Sequence, residues 1–147
     1  MDWLTVICEY LEKDKELVLR AIQEAKHARD NAPSAMESGS DTTRSEKERL
    51  VFALQSNLVK IDMDIKIVKE AKRPTPNEKI GIWSYVEISS NETTMSLFIV
   101  PNGMGGKKIN NVQLVSTSSL LGQVLIGKMR NDNLNFSGKN WKIMVSK

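Results

Sequence analysis

Apolar residues recur at alternating steps of three and four across residues 51–68, and this spacing constrains the fold more than any other feature of the chain. A heptad pattern of this kind places one apolar seam along an α-helix, and a second helix must cover that seam. Charged residues are predicted to fill the other faces, and Pro74 ends the helix. The seam is formed by Val51, Leu54, Leu58, Ile61, Ile65 and Val68.

A second helix with a matching seam is predicted for residues 2–30. Leu4, Leu11, Val18 and Ala25 repeat at intervals of seven. The intervening stretch, residues 31–43, is rich in Ser and Thr and contains Pro and Gly, which is typical of a turn. Two helices of similar length with a short connection fold back on each other. Residues 1–73 are therefore predicted to form an antiparallel coiled-coil hairpin with its tip at about 30–43.

The apolar period changes from 3.5 to 2 after a linker at residues 74–79, which indicates β-strands. Strands are predicted from Ile80 to Ile88, at 95–101 and at 110–116, followed by a hairpin that turns at Ser137–Gly138. Residues 118–128 predict a short amphipathic helix capped by Thr117 or Ser118. The chain is thus predicted to be α+β, with residues 80–147 forming a small antiparallel sheet domain and one short helix.

Composition excludes several classes of protein. The net charge is +3, and no apolar run approaches the ~20 residues that span a bilayer. One cysteine and one histidine rule out an internal disulfide and a tetrahedral zinc site. We therefore expect a cytoplasmic protein that does not associate with membranes.

The segment VSTSSLLGQVLIGKMRNDNLNF, residues 115–136, resembles the C-terminal domain of the Gre family of bacterial transcription elongation factors. AIQEAKHARDNAPSAMES and EKERLVFALQSNL are similar to the two arms of that family's coiled coil. The resemblance covers nearly the whole chain and implies an FKBP-like fold for residues 80–147. The positions that fall on the C-terminal pattern are Ser116, Ser119, Leu121, Leu125, Gly127, Lys128 and Asp132.

This resemblance implies a regulator that binds at the secondary channel of bacterial RNA polymerase. The coiled-coil tip would reach towards the active centre, where it modulates elongation or promotes transcript cleavage. Acids at the family's tip help to hold a second Mg²⁺, and the candidates here are Asp30, Glu37 and Asp41. Their spacing of seven and four does not reproduce the family's Asp-x-x-Glu-Asn pattern. The chain is then not an enzyme and has no cofactor of its own, since the Mg²⁺ and the chemistry belong to the polymerase.

Partner contacts are expected at the hairpin tip and on the sheet domain. Arg29 and Arg44 lie near the tip, where a guanidinium can pair with phosphates or acidic groups. RNA or DNA would be reached only through the polymerase. By resemblance, the docking residues of the sheet domain are Ser118, Ser119, Leu121 and Lys128. A hairpin that covers its own seam is expected to be monomeric.

Three other functions remain open. The chain could block the channel without promoting cleavage. It could be an FKBP-like prolyl isomerase, which needs an aromatic pocket, although the alternating aromatic residues of the second half indicate core and sheet faces. It could also be a coiled-coil adaptor, which would self-associate through its heptads. The aromatic residues concerned are Trp83, Tyr85, Phe98, Phe136 and Trp141.

Overall fold

The computed structural model describes residues 2–31, 42–75 and 79–147, with the side chains in these ranges apart from those of residues 42–44. The chain divides into two compact units, residues 6–69 and residues 1–5 together with 70–147. We call these the helical unit and the sheet unit. None of the helices in the described ranges is both long enough and apolar enough to cross a bilayer.

Two helices form the helical unit, α1 (Trp3–Asp30) and α2 (Thr42–Lys69). They are antiparallel, because Lys15 pairs with Asp62 at 2.7 Å while the earlier Glu12 pairs with the later Lys69 at 3.5 Å. The predicted hairpin and its seam are confirmed, although Leu54 and Leu58 are only half-buried. The buried apolar residues of this unit are Ile7, Leu11, Val18, Ile22, Ala25, Val51, Ile61, Ile65 and Val68.

The prediction that charges fill the other faces of α2 is wrong. Phe52, Val59 and Met63 are 73%, 59% and 60% exposed, and at about 100° per residue they lie together on the side opposite the seam. We call these three residues the outer ridge. Asp64 is the converse case, since its carboxylate is buried and accepts a hydrogen bond from Lys60 at 2.7 Å. The heptad spacing marks the buried apolar face of α2, and it does not reveal the exposed apolar face formed by the outer ridge.

The sheet unit contains one six-stranded sheet in the order β3-β4-β2-β1-β6-β5. All neighbouring strands are antiparallel except β2 and β4, which pair in parallel. An alternating pattern reports which face a residue occupies and not strand direction, so this parallel pair was not predicted. The elements are β1 (Tyr85–Ser90), β2 (Thr93–Val100), β3 (Lys108–Ile109), β4 (Val112–Ser116), α3 (Leu120–Leu125), β5 (Asn133–Phe136) and β6 (Lys139–Ser146).

The predicted first strand begins too early. Residues 79–84 are not in a strand, and β1 starts at Tyr85. Ile80 is nevertheless buried, and its backbone exchanges two hydrogen bonds of 2.8 Å with the segment after α3, one with Gly127 and one with Lys128. The predicted hairpin of β5 and β6, with its turn at Ser137–Gly138, is confirmed.

Helix α3 is shorter than predicted, and its N-cap is Ser119 instead of Thr117 or Ser118. The Ser119 hydroxyl accepts a hydrogen bond from the Gly122 amide at 3.0 Å and donates one to the Ser116 carbonyl at 2.8 Å. Gly122 packs so closely that a Cβ there would lie 2.0 Å from the Ser116 carbonyl oxygen. Leu121 and Leu125 place the helix on the core of the sheet.

Candidate functional site

Ser118 marks an exposed corner of the sheet unit, between the end of β4 and the start of α3. Its hydroxyl donates a hydrogen bond to the Asn102 side-chain oxygen at 2.9 Å. Its amide donates to the Ser116 hydroxyl at 3.1 Å. These bonds fix the corner while leaving the Ser118 side chain open to solvent.

Two of the predicted docking residues serve the fold itself. Ser119 uses its hydroxyl to cap α3, and Leu121 is 9% exposed within the core. Lys128 follows the other end of α3 and is half-buried. The structure therefore brings Ser118 and Ser119 together at one end of the helix and places Lys128 at the other.

Leu120 is a surface residue that the sequence reasoning missed. The short amphipathic helix predicted for residues 118–128 would include it in its apolar set, but its side chain is 76% exposed beside the Ser118 corner. Ile126 and Met129 are also exposed after the helix. We call Ser118, Leu120 and Lys128 the α3 surface. Helix geometry offers a signal for this, because at about 100° per residue Leu120 lies about 100° away from Leu121 and about 140° from Leu125.

Only part of the predicted tip site lies within the described residues. Asp30 is the last residue of α1, is exposed, and pairs with the Arg29 Nε at 3.1 Å. Glu37, Asp41 and the Arg44 side chain lie outside the described residues. Within the described ranges, no group of three or more His, Cys, Asp or Glu residues could hold a metal ion.

The sheet unit also contains a cavity of about 920 Å³ with aromatic walls. Trp83, Tyr85 and Phe98 line it, together with Trp3 from the first turn of α1, which belongs to the same unit. The Trp3 and Tyr85 rings are stacked, with centroids 5.5 Å apart and planes within 5°. The prediction that the aromatic residues form core and sheet faces holds for Trp141 in the core and for Tyr85 and Phe98 on β1 and β2. It did not include the space that these two side chains line together with Trp3. We call this space the aromatic cavity.

Trp83 holds an unusual backbone conformation in the wall of this cavity. Its φ is 69°, and it lies in a turn in which the Ser84 amide donates to the Gly81 carbonyl at 3.2 Å. A positive φ in a bulky L-residue costs roughly 1–2 kcal/mol, so glycine or asparagine usually takes such a position. The indole is therefore held at this position at a cost in the stability of the fold. Sequence reasoning had no signal for this, because no propensity predicts tryptophan at a positive φ.

The carboxylates along the aromatic cavity are already engaged. Asp2 pairs with Arg73, and this hydrogen bond is the main cause that lowers the pKa of Asp2 to about 2. The Tyr85 hydroxyl donates to Glu87 at 2.6 Å. Burial, followed by that bond, raises the pKa of Tyr85. Arg130 also lines the cavity, and it makes no ion pair or side-chain hydrogen bond within the described part of the chain.

Comparison with known proteins gave matches among solved structures alone. No protein-family model matches the chain, and neither does any curated protein. The chain is similar to GreA factor homolog 1 (Gfh1) of Thermus thermophilus, with 18% identity and a TM-score of 0.44 over 95% of this chain and 94% of that one. It is also similar to Thermus aquaticus Gfh1, with 23% identity and a TM-score of 0.42 over 94% and 92%.

Proposed function

We propose that this chain is a regulator of bacterial RNA polymerase that binds at the secondary channel. The observation that carries the proposal is the segment 115–136, in which seven residues from Ser116 to Asp132 fall on the Gre pattern in order and spacing. The segment departs from the pattern at Ser118, where the family frequently has Asp, and at Leu120, where it has Pro. In the structure, this segment forms the Ser118 corner, α3 and the start of the last hairpin. The proposal is further supported by the confirmed helical hairpin, the second element that the resemblance implies.

The helical unit has a form that suits insertion into a channel. Its two helices contain 28 residues each, which corresponds to roughly 42 Å at ~1.5 Å per residue. The buried seam and the pairs Lys15–Asp62 and Glu12–Lys69 hold the helices side by side. A two-helix rod of this kind is slender enough to reach a buried active centre from outside.

In this proposal the sheet unit and the helical unit contact different parts of the polymerase. The α3 surface contacts the polymerase at the channel entrance, through the exposed side chains of Ser118 and Leu120 and the half-buried Lys128. The hairpin tip, with Asp30 and Arg29 on its described side, points towards the polymerase active centre. Any RNA cleavage there is the polymerase's own reaction, to which a tip carboxylate contributes at most one oxygen ligand to its Mg²⁺.

Two modes of regulation fit the tip. Asp30 would have to leave its contact with Arg29 to bind a metal, and an exposed ion pair of this kind holds only weakly. A carboxylate at the tip is therefore available for cleavage chemistry. The spacing of Asp30, Glu37 and Asp41 departs from the family pattern, so occupation of the channel without cleavage is the second mode.

The first experiment is a pull-down of purified full-length protein with bacterial core RNA polymerase, followed by RNA cleavage in a backtracked complex. Binding with cleavage that is lost in the combined Asp30→Asn, Glu37→Gln, Asp41→Asn variant supports the metal-ligand mode. Binding that slows elongation without cleavage supports the blocking mode. Failure to bind polymerase overturns the proposed function.

The docking surface has its own matched pair of variants. Leu120→Ser changes the apolar side chain of the α3 surface. Met144→Ser changes an exposed apolar side chain on β6. Both should leave the protein folded, because neither side chain belongs to the core. Polymerase binding should weaken for Leu120→Ser only, and equal loss in both variants would exclude the α3 surface as the contact.

A further inference from the structure

We propose that the aromatic cavity binds a small anion of the nucleotide class, with its planar base packed against Trp83 and its phosphate bound by Arg130. The residues of this site are not those of the α3 surface or of the hairpin tip. Its residues all belong to the sheet unit. The proposal does not depend on polymerase binding.

The cavity has the size and the walls of a small-molecule site. Its volume of about 920 Å³ lies within the range of roughly 300–1,000 Å³ that such sites occupy. Trp83 and Phe98 are buried and tilted at 45° to each other, with centroids 6.3 Å apart. Trp3 and Tyr85 are already stacked on each other. All four aromatic side chains line the cavity, so a planar base that enters it would meet ring atoms on its walls.

The position of Trp83 is a second, independent indication of a ligand. A residue held at a positive φ is strained, and such strain is concentrated at binding and catalytic sites. Gly81 lies two positions earlier, so the turn includes a glycine, yet the strained position is occupied by tryptophan. A contact between the indole and a ligand in the cavity would explain why tryptophan occupies this position.

The indole N–H of Trp83 provides a hydrogen-bond donor for the ligand. The residue is only 7% exposed, and no hydrogen bond from this N–H is found within the described residues. Every fully buried side-chain nitrogen or oxygen in those residues has a partner. The N–H is therefore reachable from outside, and in a largely apolar wall it favours a ligand that carries an acceptor.

Charge favours an anion over a neutral ligand. Asp2 and Glu87 are occupied by Arg73 and Tyr85, whereas the Arg130 guanidinium has no acidic partner in the described ranges. A guanidinium presents a planar fork of donors that matches a phosphate group. A neutral prolyl peptide could use the aromatic walls and offer a carbonyl to the indole N–H, but it would bring no negative charge to Arg130.

The test is a titration of the full-length protein with AMP, followed by NMR of the three tryptophan indole N–H signals. We expect saturable shifts of the Trp83 signal with little change at Trp141, which lies in the core. Adenosine lacks the phosphate and ribose 5-phosphate lacks the base, so each should bind more weakly than AMP. Absence of saturable shifts up to about 1 mM AMP, or shifts centred on Trp141, overturns the proposal.

Two exposed cations give matched variants for the phosphate contact. Arg130→Gln removes the guanidinium of the cavity, and Lys139→Gln removes an exposed cation at the start of β6. We expect the AMP Kd to rise about ten-fold for Arg130→Gln, as for one lost charge-assisted contact, and to be unchanged for Lys139→Gln. Equal affinity in the two variants, or tighter binding of a proline-containing peptide than of AMP, overturns the proposal. None of these measurements involves polymerase, so their failure leaves the proposed function untouched.

Discussion

The Asp2 carboxylate accepts hydrogen bonds from the guanidinium of Arg73, which lies 71 positions further along the sequence. The Arg73 Nε is 3.4 Å from one carboxylate oxygen, and a terminal guanidinium nitrogen contacts the other. The Thr5 hydroxyl donates to the same carboxylate at 2.8 Å. The pair thus joins the residue before α1 to the segment after α2, and both belong to the sheet unit.

The first prediction is that the contribution of this ion pair to stability depends on pH. Its hydrogen bonds lower the pKa of Asp2 from 3.8 to about 2, with Arg73 as the largest cause. A lowered pKa in the folded state means that the pair stabilises the protein above pH 3.8 and that this contribution is lost as the pH falls towards 2. Asp2→Asn should lower the Tm slightly at pH 7 and leave it unchanged relative to wild type at pH 2.

The control for this prediction is Glu9→Gln, which removes an exposed carboxylate elsewhere on α1. Thermal unfolding of both variants from pH 2 to pH 7 gives the comparison. Only the Asp2→Asn difference should grow between pH 2 and pH 4. A difference that is constant over this range would show that Asp2 does not act through its charge.

A second prediction concerns Gly122 in α3. A Cβ at this position would lie 2.0 Å from the Ser116 carbonyl oxygen, which is backbone and cannot turn aside. Gly122→Ala should therefore lower the free energy of unfolding by about 1–3 kcal/mol, as overpacking does. Gly81→Ala is the matched control, because nothing lies within 4 Å of a Cβ there. Chemical denaturation of both variants measures the difference, and equal stability would contradict the close packing of α3 on β4.

Much of the fold could be predicted from the sequence because two different apolar periods mark its two parts. The seam from Val51 to Val68 and the alternation in the last hairpin both report burial directly. The parallel pairing of β2 with β4 could not be predicted, since it depends on contacts between residues distant in sequence, such as Phe98 with Leu114. The outer ridge was missed because one helix can carry two apolar faces.

The third prediction separates the two faces of α2. Ile61 lies in the buried seam and Val59, two positions earlier, lies on the outer ridge. Ile61→Ala should cost about 2–5 kcal/mol because it leaves a cavity between the helices. Val59→Gln should change the free energy of unfolding by less than about 0.5 kcal/mol. Urea denaturation checks both, and a large cost for Val59→Gln would mean that the outer ridge is covered in solution.

The candidate sites were less predictable than the fold. Ser118, Ser119 and Leu121 were predicted as docking residues because the resemblance covers their segment. In the structure Ser119 caps a helix and Leu121 lies in the core, whereas Ser118 is exposed. Trp83 was expected in the core or on a sheet face, and it is buried, but it lies in a turn at a positive φ and not on a strand. Sequence patterns locate a segment, and the role of each residue within it depends on the side chains it meets.

The final prediction tests whether Ser118 and its neighbour Ser119 have different roles. Ser119→Ala removes the N-cap of α3 and its bond to the Ser116 carbonyl, so it should lower the free energy of unfolding by about 1 kcal/mol. Ser118→Ala removes an exposed contact with Asn102 and should cost less than about 0.5 kcal/mol. If the α3 surface docks on polymerase, Ser118→Ala should weaken binding more than its small effect on stability explains. Binding that falls only in Ser119→Ala, in proportion to its lost stability, would show that the serines support the fold and do not contact the partner.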